Sequence, residues 1–190
     1  MLLPEFCEEL FYVKEINLFE TNFKNYLQKV VDYNFLDTQK WIQKLYKYNH
    51  KIIEIKLLKQ FNLSSCELTK IPTLNFKNLE RLNLNHNKLK SFPNLNLPNL
   101  QYLYLFNNKL TSISLNFPNL QHLDLGNNQL TSVSLNLPNL KVLHLDNNQL
   151  TSILDLTLTV PKLELLFIYN NPLPETEKNR LKSICDKVYL

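Results

Sequence analysis

A chain of 190 residues, 44% hydrophobic, is long enough to bury a real core as one folded unit. Its 21 basic and 17 acidic side chains are interspersed, so no nucleic-acid footprint is expected. No apolar run reaches the ~18 residues of a membrane span, and the opening MLLPEFCEEL has three glutamates and no basic region, so no secretory signal is expected.

In chain order, the first 57 residues read as a helical N-terminal cap. One helix is predicted over Phe19–Tyr33. A second opens at Asp37 or Thr38 and brings Trp41, Ile42, Leu45 and Tyr48 to one face. Ile52–Leu58 is apolar enough for a strand. Residues 58–173 then repeat the phrase L-x-x-L-x-L-x-x-N-x-L about six times, at a step of about 20 residues. Clean copies start at Leu79, Leu100, Leu120, Leu140 and Leu163; a degenerate one starts at Leu58, with Phe61 and Cys66 at the second Leu and the Asn positions. This is the leucine-rich-repeat signature, and the fold class expected from it is an α/β solenoid. Short parallel strands line its concave face, with a helical cap before the repeats and a capping helix after them.

Each position in the phrase has a physical role. Leu82 and Leu84, and their equivalents up to Leu143 and Leu145, should point inward, and only stacked neighbours can bury them. Asn87, Asn108, Asn128, Asn148 and Asn171 sit where the chain leaves the strand, placed to satisfy backbone groups of the adjacent turn. The returning segments Thr111–Phe117 and Thr131–Leu137 alternate apolar and polar residues, which predicts extended or 3₁₀ backbone on the convex side. With one glycine in the chain, Asn, Pro and Ser must make the bends. Residues 174–190 read as the C-terminal cap: a helix from about Glu175 to Val188, with Leu181, Ile184, Cys185 and Val188 on one face.

The functional signal lies in how the copies differ. Leu100–Asn119 and Leu120–Asn139 are identical at 14 of 20 positions. The drastic differences are Tyr102/His122, Tyr104/Asp124 and Phe106/Gly126, at every second residue and so on one strand face. A constant framework with one variable face predicts a binding scaffold. At a strand spacing of about 4.8 Å that face spans roughly 25 Å, the scale of a protein contact. The candidate partner-binding residues are Arg81, Asn83, Tyr102, Tyr104, Phe106, His122, Asp124, Val142, His144, Asp146, Phe167 and Tyr169. The aromatics are hot-spot material. His122, Asp124, His144 and Asp146 read as a polar patch that sets partner charge; nothing supplies a nucleophile or a lid. Neither metal nor cofactor nor catalysis is expected. Cys7, Cys66 and Cys185 are odd in number and far apart, which fits a reducing cytoplasm, and Cys66 fills an Asn slot of the repeat.

The short repeat, with Pro98, Pro118 and Pro138 before the Asn-Leu that opens each strand, resembles bacterial leucine-rich-repeat effectors of the Legionella type, which are injected into host cells. The resemblance implies a helical cap, a folded protein partner and delivery to the host cytosol; separately, the chain is expected to be monomeric when free. Some such effectors append a ubiquitin-ligase domain; with 17 residues after Leu173, none is expected here. Leu3-Pro4-Glu5 with Phe6, Leu10 and Phe11 also resembles an F-box, which would make residues 1–50 an adaptor segment.

Overall fold

The computed structural model describes residues 16–17, 59–65, 67–71, 77–153, 159–184 and 186–190. The two helices expected near the N-terminus, the strand expected over Ile52–Leu58, the F-box-like segment and all three cysteines lie outside the described residues.

Each described repeat contributes one three-residue strand with an inward apolar side chain at its centre, and the two-residue β1 pairs ahead of them. They run β1 (Ile16–Asn17), β2 (Gln60–Asn62), β3 (Arg81–Asn83), β4 (Tyr102–Tyr104), β6 (His122–Asp124), β8 (Val142–His144) and β9 (Leu165–Phe167). Between them, β5 (Ser112–Asn116) and β7 (Ser132–Asn136) form a separate parallel pair. With β10 (Lys187–Tyr189), the main sheet has eight strands among the described residues, in the order β1-β2-β3-β4-β6-β8-β9-β10, all parallel. The convex return is therefore extended in two repeats, where Ile113, Leu115 and Leu135 face in and the serines face out.

The core lies between the two sheets. Leu82, Leu103, Leu143 and Leu166 are completely buried and Leu123 is 1% exposed, as the strand centres require. Leu89, Leu110, Leu130 and Leu150 close each loop from inside, all at 0%. Each such leucine contributes about 1.5–3 kcal/mol, and only neighbouring repeats supply the covering surface.

Two amide ladders tie the repeats together. Asn108, Asn128 and Asn148 each donate Nδ2–H to a carbonyl three residues back and to one in the preceding repeat; for Asn128 these are Leu125 O at 3.1 Å and Leu105 O at 2.9 Å. Their Oδ1 atoms accept the N–H of Leu89, Leu110 and Leu130. Asn87 and Asn171 do the same at the ends. The second ladder occupies the bends. His86, Asn107, Asn127, Asn147 and Asn170 have φ between 54° and 56°, the left-handed region that Asn tolerates best among side-chain-bearing residues. The lone Gly126 is not among them. Pro and Asn complete the turns into the strands, where Asn99, Asn119 and Asn139 donate to Lys77 O, Pro98 O and Pro118 O.

The C-terminus departs from the expected single helix. Helix α1 spans Glu175–Leu181, opened by Pro174, with Glu175 and Glu177 in its first turn and Lys178 and Arg180 in its last. It stops seven residues short of Val188. Lys187–Tyr189 instead adds β10 to β9, with Ile168 N–H donating to Tyr189 O at 2.8 Å. An open edge of β9 would leave backbone groups unpaired, and Val-Tyr suits a strand. Val188 thereby takes the inward register of Leu166 and packs against the core.

Candidate functional site

Strict parallel register places the variable residues in columns across the main sheet. One column runs Gln60, Arg81, Tyr102, His122, Val142, Leu165 and Lys187. The central column runs Asn62, Asn83, Tyr104, Asp124, His144, Phe167 and Tyr189. Beyond the strand ends, Asn85, Phe106, Gly126, Asp146 and Tyr169 are tied by successive backbone bonds, such as Asn107 N–H to Gly126 O and Asn127 N–H to Asp146 O. All twelve candidate residues lie in these three columns.

The rings stack along the ladder. Tyr102 lies 4.7 Å from His122 at 15°, and the Arg81 guanidinium covers the Tyr102 ring at 4.1 Å. Tyr104 stacks on Tyr102 at 6.5 Å and 20°. At the other end, His144, Phe167 and Tyr189 form a run with centroids 4.3 and 4.7 Å apart and planes within 12°. Phe106 meets His86 edge-on at 5.4 Å. Burial raises the Tyr104 hydroxyl pKa, and burial with Arg81 and Lys141 nearby lowers that of His122, which favours its neutral ring.

Between the two aromatic groups sit the carboxylates. Asp124 Oδ1 accepts the N–H of Gly126 at 3.0 Å. Asn62 and Asn83 make the same turn to Ser64 N–H and Asn85 N–H. In the repeat where Tyr104 takes that position, the Phe106 N–H is satisfied instead by Asn85 Oδ1 at 2.8 Å. Desolvation raises the Asp124 pKa above the usual aspartate range, opposed by the Gly126 N–H and His144 and reinforced by Asp146.

Asp146 was expected on the surface and is buried, its side chain 7% exposed. It accepts from Asn147 Nδ2 at 2.8 Å and faces His144 Nδ1 at 3.7 Å. Its charge raises the pKa of the Tyr169 hydroxyl. The cause is Gly126: a Cβ there would lie 3.1 and 3.2 Å from the Asp146 oxygens and 3.2 Å from Phe106 Cδ2. The missing side chain is the space into which both neighbours lean. His144 therefore faces Asp146, two residues on and past the end of its strand, while lying beside Asp124 in the next.

Sequence reading missed Tyr189, 50% exposed and the outermost ring of the stack. Its signal was available, since Val188 and Leu190 alternate as Leu166 and Ile168 do. Gly126 was noticed as a difference between copies but not as the residue that seats Asp146. Along the entry edge of the sheet runs a polar groove lined by Asn99, Asn119 and Asn139, whose amides are engaged by backbone carbonyls, so it is framework. Among the described residues, no group of three or more His, Cys, Asp or Glu could hold a metal ion, and no helix is long and apolar enough to cross a membrane.

Residues 77–117, 98–137 and 118–158 match the family model described as leucine-rich repeats in two copies. Among solved structures, a leucine-rich-repeat protein of Leptospira interrogans is 31% identical with a TM-score of 0.63, over 72% of this chain and 38% of that one. The chain thus spans well under half the length of that relative. No curated protein matches it. Repeats, solenoid and these two similarities together define a leucine-rich-repeat fold, a scaffold typically used for protein interaction rather than catalysis.

Proposed function

We propose that the protein is a non-enzymatic binding module that grips one folded protein across the outer face of the eight-stranded sheet. The observation that carries this reading is the contrast between β4 and β6. Their repeats share 14 of 20 residues, yet Tyr102/His122 and Tyr104/Asp124 stand directly opposite one another on that face. Tyr102, Tyr104 and Phe106 supply anchors on one side, and Phe167, Tyr169 and Tyr189 on the other. Arg81, Asn83, His122, Asp124, Val142 and His144 complete the contact, and Asp146 holds His144 and Tyr169 in place. Clustered aromatics in a polar surround are the composition of binding hot spots.

In the cell, the module acts by occlusion, covering an active site or interface of its partner. The short repeat and the Pro-Asn-Leu step into each strand support a bacterial effector delivered to the host cytosol, where a host protein or a fellow effector is the target. The test is capture from host lysate and from a panel of bacterial effectors, with wild type beside a Tyr102/Tyr104/Phe106→Ala variant shown by circular dichroism to be folded. A partner held by wild type and lost by the variant supports the reading; equal retention refutes it. For the captured partner, Tyr104→Ala is expected to weaken binding by about 2 kcal/mol or more.

A further inference from the structure

We infer that the partner presents an arginine, whose guanidinium enters the central column over Asp124, between Tyr104 and His144. The inference rests on the reading that this face binds a protein, and it names what the face recognises.

The argument starts from ring spacing. His144, Phe167 and Tyr189 follow one another at 4.3 and 4.7 Å, close to the strand spacing, so each strand supplies one ring to the stack. Tyr102 and His122 do the same in the next column at 4.7 Å. In the central column, β6 breaks this series. Tyr104 and His144 lie one strand away on either side of Asp124, which carries no ring. Two strand spacings separate the flanking side chains by roughly 9.6 Å, so a planar group between them sits about 4.8 Å from each. That is the separation of the stacked pairs already on this face.

Charge decides what the planar group is. Asp124 lies on the floor of the gap with Oδ1 held by Gly126 N–H, and the Asp146 carboxylate lies just beyond the end of the adjacent strand. Among the described residues neither carboxylate has a Lys or Arg ion pair; Asp146 faces His144 and accepts from Asn147 Nδ2. The occupant is therefore planar and cationic. A guanidinium stacks on rings and offers paired N–H donors to a carboxylate, whereas an ammonium is compact and strongly hydrated. The face already holds one guanidinium in this way, Arg81 over Tyr102 at 4.1 Å.

The test uses the full chain, ¹⁵N-labelled, titrated with blocked tripeptides Gly-Xaa-Gly in which Xaa is arginine, lysine or citrulline. The arginine peptide should give saturable shifts centred on Tyr104, Asp124 and His144, and bind roughly tenfold more tightly than the uncharged, near-isosteric citrulline peptide. Asp124→Asn should abolish that preference. The variant keeps the fold, because Asn62 and Asn83 make the same turn in their own repeats. Equal binding of arginine and citrulline peptides, no saturable shift, or a preference that survives Asp124→Asn overturns the inference. The two readings fail separately: capture lost in the Tyr102/Tyr104/Phe106→Ala variant but retained by Asp124→Asn removes the arginine and leaves the sheet face as the interface, whereas capture retained by the triple variant refutes the sheet face itself.

Discussion

Replacing Asn128 by Ala is the sharpest test of what holds the repeats in register. The side chain makes four hydrogen bonds: Nδ2 to Leu105 O, Leu125 O and Gly126 O at 2.9, 3.1 and 3.2 Å, and Oδ1 from Leu110 N–H at 3.1 Å. The losses are unequal. Leu105 O keeps Asn108 Nδ2, Leu125 O keeps Asn148 Nδ2, and Gly126 O keeps the N–H of Asn107. The three carbonyls thus retain partners. The Leu110 N–H loses the acceptor it has, inside a loop closed by completely buried leucines. An orphaned buried donor costs about 1–3 kcal/mol, and the weakened carbonyl contacts add about 1 kcal/mol, so the expected loss is about 2–4 kcal/mol.

Urea unfolding followed by circular dichroism measures this, provided the slope of the transition is unchanged. Two controls locate the cause. Asn171→Ala should cost less, because its amide is only partly buried and water can replace it. Asn128→Asp should cost more than Asn128→Ala at pH 7 despite its matching shape, since a carboxylate there faces three carbonyl oxygens and donates nothing. A loss below about 1 kcal/mol for Asn128→Ala, or an innocuous Asn128→Asp, would refute the view that the amide ladder closes these loops.

Three other outcomes follow from the same contacts. Glu177 accepts from Ile153 N–H at 2.8 Å and from Arg180, whose hydrogen bond is the main reason its pKa lies below the usual glutamate range. A depressed acid contributes stability above its unfolded pKa and loses it as pH falls through the folded value, so wild type should lose more stability than Glu177→Gln in urea titrations between pH 7 and pH 3. Asp124 has the opposite sign: its raised pKa means stability declines as pH rises from the ordinary aspartate value through the raised one. Asp124→Asn should then be at least as stable as wild type at pH 7, with a melting temperature equal or higher. Gly126→Ala should change stability by less than about 1 kcal/mol, because reduced unfolded-state entropy offsets the crowding of Asp146 and Phe106. It should nevertheless shift the NMR signals of those two residues and weaken partner binding.

The repeat frame was legible because its determinants are local and periodic. Strands such as Tyr102–Tyr104 and His122–Asp124 fall where the leucine spacing puts them, and the Asn ladder follows from the same phrase. The C-terminus was not. Leu181, Ile184, Cys185 and Val188 satisfy helical spacing, and a short apolar segment cannot by itself distinguish helix from strand. What settles it is non-local, the open edge of β9 that Lys187–Tyr189 covers. Asp146 was misread for a similar reason. Alternation put it on the face, but its burial depends on the space left by Gly126 one repeat earlier.

The central column also separates what folding requires from what it permits. Where the chain turns out of the strand, Asn62, Asn83 and Asp124 each lend one side-chain oxygen to the N–H two residues on. An amide suffices for that bond, as two repeats demonstrate. Tyr104 makes no such bond, and Asn85 from the preceding repeat supplies the acceptor. The frame therefore accepts an amide, a carboxylate or a ring at equivalent places. Choosing the carboxylate adds a charge that desolvation disfavours and for which the fold provides no Lys or Arg ion pair among the described residues. On the binding reading proposed above, a residue whose structural duty a neutral neighbour performs equally well, and whose charge opposes burial, is placed there for what it meets from outside. Asp124→Asn should accordingly preserve the fold and lose recognition, which no substitution in the amide ladder can do.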